Sequence, residues 1–186
     1  MRALADLYGV ENSRVFIGAN AREETAKSEM GSHKILHFAT HSILDNQGPM
    51  YSRIVLSQAA LNANEDGLLE AWEIANLDLH ADIVILSACE TARGQIRLGE
   101  GVTGLSWAFF VAGCPATVVS QWKVESAGTT EMMIGFHSNL LSQMKSSNSL
   151  SGKAQALRAA SLKMLKSEKY RDPFYWASFV VVGDGR

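Results

Sequence analysis

His41 and Cys89 each follow a short apolar run: Lys34-Ile35-Leu36-His37-Phe38-Ala39 before the histidine and Asp82-Ile83-Val84-Ile85-Leu86-Ser87 before the cysteine. A thiolate attacks a carbonyl carbon well, but near neutral pH it needs a neighbouring base or positive charge to form. An imidazole meets that need and can return the proton to a leaving amine. The two side chains together are a complete set for nucleophilic acyl transfer. Taken without its neighbours, a cysteine that ends an apolar strand is a small core residue. Cys114, between Gly113 and Pro115 at a helix-to-strand turn, is read in that second way.

The remaining candidates are weaker. His37 and His41 are four apart, a zinc spacing on a helix. On a strand the same spacing separates them by ~13 Å, too far for one ion. No metal site and no cofactor is therefore expected, and His37 is read as a core histidine that supports the strand or the site. His33, His80 and His137 are read as surface or structural. Gly99-Glu100-Gly101-Val102 lacks both the Walker lysine and the full dinucleotide fingerprint, so Glu100 is read as a helix N-terminal residue favoured by the dipole. Trp107, Phe109 and Phe110 are expected in the core, while Trp122 and Trp176 fall near strand ends, where crevice lining and packing are equal readings.

A nucleophile and a base far apart in sequence need a scaffold that brings two strand ends together. Strands are predicted at Val15–Ile17, 34–39, Arg53–Leu56, 82–87, Ala116–Ser120 and Ala177–Val182. Helices are predicted at 21–30, 71–76, 101–112, 127–144 and 153–165, with loops at Arg93–Gly99 and Ser146–Ser151. Alternation of helices with nearly all-apolar strands indicates a mostly parallel sheet covered on both faces, an α/β three-layer α/β/α sandwich. In such sheets reactive groups gather at the carboxyl ends of the strands, so His41 and Cys89 are expected to face one crevice.

The words around the pair are specific. His37-Phe38-Ala39-Thr40-His41 followed by Leu86-Ser87-Ala88-Cys89-Glu90-Thr91-Ala92 resembles the signature of the CHAT family, a relative of caspases, separases and gingipains. The histidine lies 48 residues before the cysteine, close to the caspase separation of about 50. The resemblance continues through Gly99–Leu105, Val118–Val124 and Pro173–Phe179, and it covers most of the chain from about Val15 to Gly183.

The resemblance implies a caspase-like fold and peptide hydrolysis. Cys89 would be the nucleophile and His41 its proton-transfer partner, with the backbone N–H groups of Ser42 and Cys89 as the oxyanion hole. It further implies a protein or peptide substrate and an upstream tetratricopeptide (TPR) region or regulatory protein as partner. Residues 1–186 are expected to be one CHAT domain without its N-terminal part. Two positions depart from the pattern. Ser42 stands where caspase-like families place Gly, and Ser126 stands where many relatives have the Asp of W-x-V-x-D, here Trp122-Lys123-Val124-Glu125-Ser126. Specificity for a basic residue is thus not implied, and Trp122, Glu125, Ser126 and Asp45 are the substrate-binding candidates. A catalytically silent or latent module that serves as a signalling or protein-interaction scaffold is the alternative reading.

Composition agrees with one globular domain. Apolar residues make up 47% of the chain, enough for a real core. The net charge of −2, with scattered Lys and Arg, excludes a broad phosphate-binding surface and makes nucleic acid an unexpected partner. No apolar stretch reaches the ~20 residues of a membrane helix. Two cysteines in apolar surroundings form no disulfide framework, and no leader pattern opens the chain, so a cytoplasmic location is expected.

Overall fold

Four consecutive β-branched or leucine residues, Ile83-Val84-Ile85-Leu86, are 2% exposed or less, as a central strand buried on both faces requires. The computed structural model describes residues 1–58, 65–87, 100–147 and 152–186, with backbone alone at 100–103 and 146–147. Its elements in chain order are α1 (Arg2–Tyr8), α2 (Glu23–Met30), β1 (Ile35–Phe38), β2 (Ser42–Ile43), β3 (Arg53–Val55), β4 (Leu68–Glu70) and α3 (Ala71–Ala75). They continue with β5 (Ile83–Leu86), α4 (Glu100–Val111), β6 (Ala116–Ser120), α5 (Ser126–Ser147), α6 (Lys153–Leu165) and β7 (Phe179–Gly183).

The main sheet runs β1-β5-β6-β7, with β1, β5 and β6 parallel and β7 antiparallel to β6. Side chains alternate across a strand, and β5 divides its residues accordingly. Val84 and Leu86 join a core with Met30 of α2, Ile74 of α3 and Phe109 of α4. Ile83 and Ile85 join the opposite core with Phe136 and Leu140 of α5 and Ala160 and Met164 of α6. The expected three-layer sandwich is thereby present. A second, antiparallel sheet of three short strands, β2-β3-β4, leads away from the end of β1.

Register places the site. Phe38 pairs with Leu86, and Leu86 with Val119, so β1, β5 and β6 finish at one edge of the sheet. The Ser87 N–H donates to the Phe38 carbonyl at 3.0 Å and continues the ladder past the last paired residues. Gly113 stops α4 with φ +109°, and a Cβ there would lie 2.6 Å from the Leu79 carbonyl oxygen, which makes glycine obligatory at this turn.

Three expectations are corrected. Val15–Ile17 is no strand: Ile17 has an extended backbone, but the segment pairs with none among the described residues, and its side chains are 36 to 49% exposed. β-propensity prepares a strand, and only a partner makes one. Trp107 and Val111, four apart on α4, are about half exposed, so this helix buries one side only, although its residues are apolar all round. α5 extends to Ser147, into the predicted loop, whose residues 148–151 lie outside the described ones, as does the loop at 93–99.

Candidate active site

A cavity of about 360 Å³ opens at the carboxyl ends of β1, β5 and β6. Ala39 and His41 follow β1, Ser87 follows β5, and Ser120, Lys123 and Val124 close and follow β6; all of them line it. The first turns of α5 add Ser126, Thr129, Thr130, Met133 and Ile134, and Met1, Ala3 and Leu4 line another side. This is the crevice expected of parallel α/β sheets, where strands end and helix N-termini begin.

His41 is exposed on the cavity wall, and its carbonyl accepts the Val55 N–H at 2.8 Å. Ser42 is buried opposite Ile54 of β3. Because that hydrogen bond runs from Val55 to His41, Ser42 and Ile54 form a non-hydrogen-bonded pair, and Ser42 directs its N–H away from β3. Cys89 lies outside the described residues; Ser87, two positions before it, is 5% exposed and forms part of the cavity lining.

Among the four substrate-binding candidates, Ser126 lines the cavity. Asp45, Trp122 and Glu125 are not among its lining residues. The Asp45 carboxylate instead accepts the N–H groups of Gln47 and Gly48 at 2.8 and 2.9 Å, and these bonds, that of Gly48 first, hold its pKa below the usual value. The Trp122 indole N–H donates to the Phe174 carbonyl at 3.0 Å. Glu125 is exposed, and its carbonyl accepts the Thr129 N–H as α5 begins.

Sequence reasoning missed a polar chain behind the cavity. His37 reaches Ser87 Oγ with Nε2 at 2.7 Å and His137 Nε2 with Nδ1 at 2.9 Å, and His137 Nδ1 meets the Tyr8 hydroxyl at 2.9 Å. The imidazoles lie 11° from parallel, which suits a bond in the plane of both rings. His137 is 2% exposed and is no surface residue; burial lowers its pKa to about 4. Burial, with the neighbouring His137, also sets His37 well below its ordinary value, so both rings are neutral at pH 7. Burial raises the Tyr8 phenol, which keeps its proton. The only signal for this chain in the sequence was the presence of the histidines, since His37 stands 50 residues from Ser87 and 100 from His137.

Two other groups bear on the chemistry. Cys114 is fully buried, its thiol donates to the Ala116 carbonyl at 3.3 Å, and burial raises its pKa, which suits the structural reading. Glu23, Glu65 and Glu73 converge like a metal cluster, but Lys27 Nζ occupies their centre at 2.8, 2.7 and 2.7 Å. Burial works against that ammonium, yet its hydrogen bonds to the three carboxylates raise its pKa.

The family described as CHAT domain matches residues 1–184. Tetratricopeptide repeat protein 28 of Mus musculus is 32% identical over 117 residues, 62% of this chain and 4% of that protein. The Homo sapiens protein of the same name is 31% identical over 117 residues, with the same coverage. The chain thus spans a small fraction of the length of the curated relatives it matches. None of the helices among the described residues is long and apolar enough to cross a membrane.

Proposed function

Because the chain belongs to the CHAT domain family, we propose that it is a cysteine endopeptidase in which Cys89 and His41 hydrolyse a peptide bond of a protein partner. The observation that carries this reading is the cavity at the strand ends, with His41 on its wall and Ser87, two residues from Cys89, in its lining.

The roles follow from chemistry. His41 takes the Cys89 proton, and the thiolate forms a bond to the scissile carbonyl carbon. The carbonyl oxygen becomes an oxyanion that accepts from the N–H groups of Ser42 and Cys89. Collapse of this intermediate breaks the C–N bond, and His41 passes its proton to the departing amine. Water, deprotonated by His41, then cleaves the thioester and restores the thiol. Ser126 contacts the substrate from the first turn of α5, while Asp45, Trp122 and Glu125 act from outside the cavity lining. The relatives are named for tetratricopeptide repeats, and a TPR region is the partner proposed upstream of this domain, in a cytoplasmic setting.

Intact-mass analysis after treatment with a peptide-like thiol electrophile at pH 7 tests the reading. One adduct is expected on Cys89, slower by at least about a hundredfold in His41→Ala, as removal of a general base predicts. Cys89→Ala should take up none, and Cys114→Ala should behave as the parent does. Equal slow labelling of both cysteines would overturn the peptidase assignment. It would favour the second reading, a binding scaffold, to which Ser42 and Ser126 in place of Gly and Asp lend support.

A further inference from the structure

β1 is the end strand of the main sheet. The carbonyls of Lys34 and Phe38 face β5, where they accept the N–H groups of Asp82 and Ser87 at 2.8 and 3.0 Å. Backbone groups alternate in direction along a strand, so the N–H and C=O of Ile35 and His37 face the other way. Among the described residues no backbone group meets them there. An edge of this kind is a template for one more strand.

A groove of about 520 Å³ lies beside that edge. Residues 35–40 line it, and so do Ala26 and Met30 of α2 and the exposed run Val15-Phe16-Ile17. That run has the backbone of a strand: Ser13, just before it, and Ile17 have φ −130° and −135° with ψ 145° and 144°. Two extended segments, each without a strand partner among the described residues on the side in question, thus share one groove.

This pairing of features selects the chemistry of the occupant. A small apolar molecule would cover the side chains and leave the amides of β1 unsatisfied, and a helix has no backbone groups to spare. An extended polypeptide supplies hydrogen bonds along its edges and apolar side chains on its faces. The span from Ile35 to Thr40 is ~20 Å, room for five or six such residues. Those directed toward α2 would meet Ala26 and Met30 beside Leu36 and Phe38, and must be apolar.

The same polypeptide is the best source. Met1 is itself part of the groove lining, whereas the Arg186 carbonyl is held by Lys153 of α6, in the other layer. The curated relatives are far longer than this chain, which spans 4% of them. A permanent cover also removes the hazard of an open apolar edge.

We propose that the groove lined by β1 and Val15–Ile17 is a strand-acceptor site, and that an extended apolar segment joined ahead of Met1 in a longer form of the protein fills it as a further strand of the main sheet. The added strand would brace β1, whose end leads to His41. Nothing in this depends on the peptidase reading.

Amide hydrogen exchange followed by NMR tests it. In residues 1–186 the Ile35 and His37 amides are expected to exchange readily. The acetylated peptide amide Lys-Val-Thr-Val-Thr-Val-Lys should slow both by at least about tenfold, because a hydrogen bond must then open before exchange. The same peptide N-methylated at its five central residues keeps its side chains but cannot pair, and should give no protection. Phe16→Ser, at an exposed position where folding is not at stake, should bind the peptide about tenfold more weakly, since part of an aromatic side chain's burial is lost. In the longer protein with its natural upstream residues, both amides should already be protected and the peptide should add nothing. Absence of protection by the peptide, or equal protection by its N-methylated form, would overturn the acceptor site. Exchange in the longer protein as fast as in residues 1–186 would overturn the proposed occupant, and peptide binding there would assign the groove to a separate polypeptide.

Discussion

His137 gives the residue scale its clearest consequence. Its imidazole is neutral in the fold, with a pKa of about 4, against ~6.5 for an unfolded chain. Between those values the unfolded state binds the extra proton, so stability falls as the pH drops through ~6.5 and the loss is complete below about 4, amounting to roughly 3 kcal/mol. The groups that face the ring are the Tyr8 hydroxyl and the His37 imidazole, and His37 is shifted in the same direction. Urea unfolding at pH 7, 5.5 and 4 should therefore show a declining midpoint. His137→Gln, which cannot titrate, should be less stable at pH 7 but have a shallower pH dependence. An equally steep decline in that variant would mean that other groups carry the acid sensitivity. Nothing local in Thr-Thr-Glu-Met-Met-Ile-Gly-Phe-His137 marks this histidine as buried and paired, because its partners come from α1 and β1.

At the scale of elements, α2 is tied to α3 through Lys27. Glu23 is 2% exposed and also accepts the Gly67 N–H at 2.9 Å, while Glu73 both meets Lys27 and completes the capping box of α3 with Glu70. Removal of the ammonium leaves buried carboxylate charge without a partner, the costly way to break an ion pair. Lys27→Met is expected to lose on the order of 3 kcal/mol, read as a lower urea midpoint with an unchanged slope. A loss under about 1 kcal/mol, the range of exposed pairs, would show that solvent screens the cluster. The helices themselves were legible to within a turn from apolar spacing and from Gly113, but the pairing of Lys27 with Glu65 and Glu73, 38 and 46 residues away, was not.

The whole molecule is two cores on one sheet, and β5 belongs to both. Loss of packing in one layer should therefore be felt in the other, as a single cooperative transition. Phe136, fully buried between α5 and the sheet, is the sharpest probe. Phe136→Ala should cost about 3–5 kcal/mol, with far-ultraviolet circular dichroism and tryptophan fluorescence shifting together. Trp107→Ala, at a half-exposed site, should change stability by no more than ~0.5 kcal/mol. Separate transitions for the two probes in Phe136→Ala would mean that the layers unfold independently.

The sequence by itself determined the strand runs 34–39 and 82–87, the layered α/β class and the family, because buried parallel strands are written as unbroken apolar runs and the words around His41 and Cys89 are local. Tertiary structure decided what depends on partners. Val15–Ile17 has a strand's composition but no described partner, and Trp107 sits on the open side of a helix that reads as buried throughout. Ser87 joined a polar chain only when Tyr8, His137 and His37 were brought into line behind it. Hydrogen bonds and burial are properties of pairs far apart in the chain, and a one-dimensional pattern carries no record of which pairs will meet.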